Sequence, residues 1–409
     1  MDLRKIQNLA LMLFFFSLNF EVYDPLNTGG SFSVAKLTGL IYLVTVLPEL
    51  FLFLRLDGLK KFLRPLWTFF LLLVVMSAIH ANVRFPHSFD RTVFQNLILF
   101  WILVNHERYE PGIIEKGFLS FALGSVLLAL FYDFGIGIGY SGTRLTIFGD
   151  NQNAVGMRMC LSMIVLVVNV FQNRLELGRI RYVLLLPIPL MIQLMAATQS
   201  RVSFVAFILS FLAGIWLLKT NKIWGKLVVL VVGAALLVGI WHLIINVEGM
   251  RLRLLQSIHE RDLSGREDIW ATIIPLIREN IVFGVGRTGY DYFTESVWGI
   301  VKSPHNVILE VVAMTGLVGL VFYLTFYIRS VAVSFRVYRE SGMILPLLLM
   351  IPIFGLLMSG QLIDVKTAWV IFAYVVGCEI LDEYPEEEFN PEEHRYHRSY
   401  YDDTEWELL

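Results

Sequence analysis

The chain has 409 residues, is 56% hydrophobic and carries only 17% charged residues. A soluble domain of this length cannot hide so much apolar surface. The formal net charge of −2 says little by itself, because the distribution of signs matters more; no nucleic-acid partner is expected. Cys160 and Cys378 both fall inside apolar runs and suggest neither a disulfide framework nor a metal-ligand cluster.

Runs of about 17–25 apolar residues can cross a bilayer. In chain order they lie near 6–22, 34–54, 63–81, 89–106, 113–134, 154–171, 182–198, 202–220, 226–246, 305–328, 344–360 and 366–381. The first could pass for a signal peptide, but Glu21-Val22-Tyr23-Asp24-Pro25 follows it and offers no small-x-small cleavage site, so it reads as a span. The expected fold is all-α: a polytopic integral membrane protein with about twelve spanning helices, residues 1–381, including a long loop at 247–304. An acidic tail at 382–409, rich in Glu, Asp and Tyr, follows and is given no chemistry.

Basic residues set the expected orientation. With Arg4 and Lys5 inside, the inner loops hold Arg55, Lys60, Lys61 and Arg64; Arg108 and Lys116; Arg174, Arg179 and Arg181; Lys219, Lys222 and Lys226; and Arg329, Arg336 and Arg339. The short outer loops hold only Arg84, Arg91, Arg144, Arg201 and Lys366. An even span count places both termini in the cytoplasm and the long loop outside.

The outer segments carry the candidate chemistry. Phe148-Gly149-Asp150-Asn151-Gln152-Asn153 is polar and turn-forming ahead of the sixth span, with Asn153 a candidate helix cap. Arg201 opens the eighth span after a tight hairpin, where an arginine either snorkels or holds an anionic headgroup. Ser264-Gly265-Arg266-Glu267 reads as a capping box. Trp270, Ile273, Ile274 and Ile277 then share a helical face with Arg266. An interfacial helix with a snorkelling arginine fits that pattern equally well. Gly284-Val285-Gly286-Arg287 reads as a turn. Ser303-Pro304-His305-Asn306 reads as a helix start, with Ser303 the cap, Pro304 in the first turn and His305 beside it. A helix N-terminus attracts anions and disfavours imidazolium, which suits a general base; a histidine that merely caps its own helix is the plainer alternative. Gly316 and Gly319 lie on one face and would let another helix approach. Three guanidiniums, Arg201, Arg266 and Arg287, near one imidazole suit a pyrophosphate held beside a base. Glu310 and Asp364 are placed near the outer surface, which favours an interfacial enzyme over a small-anion transporter with its site at the midplane.

These residues resemble the O-antigen ligase and polymerase superfamily. His305-Asn306, nine residues, then Gly316-Leu317-Val318-Gly319 looks like its signature. Ser200-Arg201 resembles its membrane arginine, Gly265-Arg266 with Trp270 its loop arginine motif, and Asn151 with Asn153 its polar stretch before a middle span. The resemblance implies a GT-C-like glycosyltransferase of the bacterial inner membrane, working at the periplasmic face without metal or cofactor. Its partners would be a glycan on undecaprenyl pyrophosphate as donor, the lipid A core as acceptor, and membrane lipids. A polymerase would instead join lipid-linked repeat units. In either, Arg201 and Arg266 would hold the pyrophosphate and His305 would serve the acceptor hydroxyl. Arg287, Asn306, Asn151 and Asn153 would be substrate-binding candidates.

Overall fold

The computed structural model describes residues 2–26, 28, 32–86, 90–142, 144–217, 266–360 and 362–382. The expected span at 226–246, Ser264 and Gly265 of the capping box, and the tail beyond residue 382 lie outside these.

The helices are α1 (Leu3–Ser17), α2 (Val34–Val46), α3 (Leu50–Phe53), α4 (Lys60–Ile79), α5 (Arg91–Tyr109), α6 (Ile113–Asp133), α7 (Gln152–Gln172), α8 (Ile188–Ala197), α9 (Arg201–Leu217), α10 (Arg266–Glu279), α11 (Gly286–Trp298), α12 (Val307–Ser341), α13 (Leu345–Ser359) and α14 (Lys366–Asp382). Side chains set several starts. Asp2 caps α1 and Asp90 caps α5, each accepting from backbone N–H groups of the first turn. Two of the expected spans pass through a 3₁₀ stretch beside a proline. The second passes through a 3₁₀ turn at Leu47–Glu49, where Pro48 sits, and the seventh is a 3₁₀ stretch, Gly178–Leu185, followed by α8. Proline has no N–H to give to an α-helical ladder, and both breaks adjoin one.

Among the described residues six helical segments are long and apolar enough to cross a membrane: Val34–Phe53, Lys60–Ile79, Ile113–Asp133, Gln152–Gln172, Gly178–Ala197 and Val307–Ser341. Arg201–Leu217 and Leu345–Met358 are apolar but shorter. The protein is a mostly helical membrane protein. The all-α expectation needs one correction, an antiparallel hairpin of β1 (Ile138–Ser141) and β2 (Arg144–Ile147) between α6 and α7. Leu145 and Ile147 point into the core while their neighbours do not, the period of two that marks a half-buried strand.

Ion pairs sort onto the two ends of the bundle. At one end Arg158 meets Asp150 and Glu21, Lys366 meets Glu21, and Arg84 meets Glu295. At the other, Glu379 meets Lys61 and Arg336, Arg174 meets Glu115, and Gln172 bonds the backbone at Gly342 and Ile344. The first group joins segments that the basic-residue alternation assigns to one side, and the second joins segments it assigns to the other. Between the ends lies the apolar core, with aromatic contacts such as Phe100 and Phe326 against Trp369.

α10 and α11 form a helical hairpin set into the His305 end of the bundle. Its turn, Asn280–Val285, enters a break in α12. Gly316 has φ 63° and ψ −168°, so the helix there is interrupted, and the N–H groups of Leu317 and Val318 donate to the carbonyls of Ile281 (2.8 Å) and Val282 (3.2 Å). Val285 N–H donates to Ala313 O at 2.9 Å. Only glycine fits at 316: that φ,ψ pair is essentially closed to other residues, and a Cβ would collide with the Val282 carbonyl. A second helix packing on the Gly316 and Gly319 face was the expectation. Instead a loop backbone occupies Gly316, and the space beside Gly319 is filled by the side chain of Thr315.

Candidate active site

Three of the expected residues converge. Arg201 is the first residue of α9, Arg266 the first of α10, and His305 lies two residues ahead of α12. The hairpin brings Arg266 to His305. Its turn is locked at Gly316, roughly 14 Å along α12 from Val307 at about 1.5 Å per residue. α10 therefore runs alongside the first turns of α12, buries Ile273 and Ile277, and returns its N-terminus to the start of that helix. There the Trp270 indole N–H donates to Pro304 O at 2.8 Å.

The electrostatics record the same convergence. Burial lowers the pKa of Arg266, and the charge of Arg201 lowers it further. Burial likewise lowers the pKa of His305, and the charge of Arg266 adds to this. The imidazole is thereby biased towards its neutral form. Among the described residues no carboxylate forms an ion pair with Arg266 or His305. Two mutually repelling guanidiniums beside an imidazole biased towards neutrality make a site suited to a polyanion.

His305 does not sit in the first turn of the helix. Its φ is 50°, in the left-handed region, and its N–H donates to Ser303 Oγ at 3.2 Å. The cap is Asn306, whose Oδ1 accepts from Leu309 N–H at 3.1 Å, so Ser303 and Pro304 stand outside the helix. Asparagine is at least as good a cap as serine, and the serine hydroxyl is taken by its own local turn. The bias towards neutral imidazole therefore comes from burial and Arg266. Asn306 Nδ2 also reaches Met358 O at 3.3 Å, which ties α12 to the end of α13.

Arg287 goes elsewhere. Its Nε donates to Asp90 at 2.7 Å, and its two terminal nitrogens form a fork on Asp364 at 2.8 and 3.0 Å. Its N–H also donates to Ser77 Oγ at 2.9 Å. Burial alone would disfavour this guanidinium, but Asp364 and Asp90 outweigh it and push the pKa up. Asp291, one helical turn on, is raised to about 6, chiefly by burial and against the pull of Arg287. Glu310, expected near the surface, is 3% exposed, and its Oε2 finds no hydrogen-bond partner among the described residues.

The polar stretch before α7 reaches the Arg201 hairpin through a residue that sequence reading passed over. Arg144 of β2 donates to Asn153 Oδ1 at 2.7 Å and to Thr198 O at 3.1 Å. Asn151, not Asn153, caps α7, accepting from Asn153 N–H at 2.8 Å. Gly156 then allows the hairpin to close on α7, because a Cβ there would meet Ser203 Oγ at 2.8 Å and Ser200 Cβ at 2.9 Å. The sequence signal for Arg144 was available: it follows Gly142-Thr143 on a segment alternating Leu145 and Ile147.

No curated protein matches the chain. Residues 186–324 match the family model described as O-antigen ligase. That stretch contains Arg201, Arg266, Arg287, His305 and both signature glycines, and over it the chain is similar to the O-antigen ligase superfamily.

Proposed function

We propose that the protein is an O-antigen ligase-type glycosyltransferase. It moves a glycan from undecaprenyl pyrophosphate to the lipid A core at the periplasmic face of a bacterial inner membrane, with twelve spans and both termini in the cytoplasm. The observation that carries this reading is the convergence of Arg201, Arg266 and His305 inside the matched stretch. In this reading the two guanidiniums grip the pyrophosphate oxygens. The acceptor hydroxyl attacks the anomeric carbon as the bond to the pyrophosphate oxygen breaks, in an inverting single displacement. His305 takes the hydroxyl proton, and the leaving charge stays on the arginine-held pyrophosphate. Arg287 is assigned a holding role, since its donors are committed to Asp90 and Asp364. Asn306, Asn151 and Asn153 support the site as caps and links.

A small-anion transporter would use a broken helix to expose backbone groups to its cargo. The break in α12 does not serve that purpose, because the N–H groups of Leu317 and Val318 are taken by the hairpin turn.

The test is the lipopolysaccharide pattern of a strain carrying His305→Ala at normal expression, with no redundant enzyme. A ligase should leave long polysaccharide on the lipid carrier and bare lipid A core. A polymerase should give core bearing a single repeat unit. A normal ladder of capped lipopolysaccharide would overturn the catalytic role of His305.

A further inference from the structure

The peptide joining Pro304 and His305 is held on both faces. Its carbonyl accepts from the Trp270 indole at 2.8 Å, and its N–H donates to Ser303 Oγ at 3.2 Å. That peptide leads into a histidine with φ 50°, a conformation that residues with a Cβ adopt only when their surroundings enforce it. The bond to the peptide's carbonyl comes from α10. Trp270 lies one turn after Arg266, and the far end of α10 is fixed in the break of α12 through Ile281, Val282 and Val285. A helix anchored at its distal end thus reaches the residue before the histidine through one indole N–H. Trp270 is partly buried and packs against the core, so its ring has a packing role as well as a bonding one.

We propose that Trp270 is a positioning residue for the transfer: its N–H holds the Pro304–His305 peptide in the left-handed arrangement and so fixes the imidazole against the arginine that grips the pyrophosphate. This rests on the glycosyl-transfer reading above. Neither Trp270 nor the peptide touches substrate in this account. What they set is the spacing between the group that receives the acceptor proton and the groups that hold the leaving pyrophosphate. Losing the N–H frees His305 to relax to an ordinary φ and swings the imidazole away, while Arg201 and Arg266 keep their hold on the donor. Misplacement by about 1 Å at a reacting group costs roughly 100-fold in rate, so turnover should suffer far more than binding.

The experiment separates the hydrogen bond from the ring. In the full-length protein in lipid nanodiscs, Trp270 is replaced by benzothienylalanine through nonsense suppression, which keeps the bicyclic shape and puts sulfur where the N–H was. Trp270→Phe serves as the cruder variant. With an undecaprenyl-pyrophosphate-linked glycan and lipid A core, the benzothienyl protein should lose roughly 10–100-fold in kcat. Its KM for the donor should stay within about threefold, and its thermal unfolding should match the wild type. Full kcat in the benzothienyl protein, with loss only in Trp270→Phe, would reduce Trp270 to packing and overturn the proposal. A second readout needs no turnover. The ring-¹⁵N resonance of His305, assigned by its disappearance in His305→Asn, should shift in the benzothienyl protein, and an unmoved resonance also overturns the proposal. A wild-type protein that transfers no glycan would bring down the glycosyl-transfer reading instead, with the resonance still deciding the role of Trp270.

Discussion

Arg266 and Arg287 are the same side chain on consecutive helices of one hairpin, and their surroundings are opposite. Arg266 is half-buried, feels the charge of Arg201 and faces an imidazole. Arg287 has a carboxylate on Nε and another across its fork. A guanidinium with every nitrogen bonded to a carboxylate of the protein holds elements together, here α11, the start of α5 and the segment before α14. Arg266, opposed by another cation, forms no ion pair with a carboxylate among the described residues, and an arriving anion would relieve the repulsion. Arginine type and bilayer end are thus insufficient to assign a role; what decides it is whether a carboxylate sits on the opposite element.

The sharpest way to break the comparison is to remove each arginine in turn. Arg201→Ala or Arg266→Ala should abolish transfer, a loss of at least about 100-fold for a group that stabilises developing charge. The folded protein should persist in either variant. Arg→Lys at either position keeps charge but loses the planar fork and should leave weak activity. Radiolabelled glycan transfer in membranes, normalised to protein level, measures this. Full activity in both alanine variants would reduce the pair to snorkelling residues and erase the contrast with Arg287.

Gly316 tests how Arg266 reaches the site. Gly316→Ala puts a Cβ against the Val282 carbonyl at a φ,ψ pair that costs about 1–3 kcal/mol even without the collision. The hairpin turn should leave the break in α12, and Arg266 should lose its register with His305. The expected result is strong loss of transfer together with a lower unfolding temperature in detergent. Gly319→Ala meets the side chain of Thr315, including its Cβ, which no rotamer change can move, but it meets no backbone of the hairpin turn. Both should lower the unfolding temperature, but a Gly319→Ala protein also carrying Thr315→Gly should recover stability and transfer, and the same second change should not rescue Gly316→Ala; rescue of both would show that the break is not what seats the hairpin.

Arg287 should fail differently, through stability. Arg287→Ala strands Asp90, which is 8% exposed, and Asp364, which is 31% exposed. Breaking a buried pair costs about 3–5 kcal/mol, and the partial exposure of Asp364 reduces this to roughly 2–3 kcal/mol. Adding Asp90→Asn and Asp364→Asn removes the stranded charges and should restore much of the unfolding temperature. A substrate-binding Arg287 would instead lose transfer at unchanged stability, with no recovery in the triple variant.

The sequence made the helices legible because apolar runs between basic loops have one economical solution in a bilayer, and motif spacing singled out Arg201, Arg266 and His305 as candidates. What it missed came from partners distant in the chain. Nothing local to Arg287 announces Asp90 or Asp364, so it was grouped with the other outer arginines. Nothing local to Gly316 distinguishes a close helix approach from a break that receives a loop. Arg144 was counted as one more outer charge, although it links Asn153 to the turn before Arg201. The cap of α12 was misplaced for a local reason: Ser303-Pro304 and Asn306 are both good helix starts, and the pattern alone does not rank them.

That ambiguity yields the smallest and most specific contrast. With Asn306 as the cap, Asn306→Ala removes the acceptor for Leu309 N–H and the donor to Met358 O, and should cost about 1–2 kcal/mol of stability. Ser303→Ala removes only the acceptor for His305 N–H and leaves the helix capped. Its effect on stability should fall within about 0.5 kcal/mol, as for a substitution outside the core. Its effect on transfer should be a modest fall in kcat, because one of the two holds on the Pro304–His305 peptide is gone and the Trp270 bond remains. Thermal unfolding of the two variants in the same detergent, read beside their transfer rates, separates the cap from the hold. A larger stability loss in Ser303→Ala than in Asn306→Ala would return the cap to Ser303, and with it His305 to the first turn of the helix.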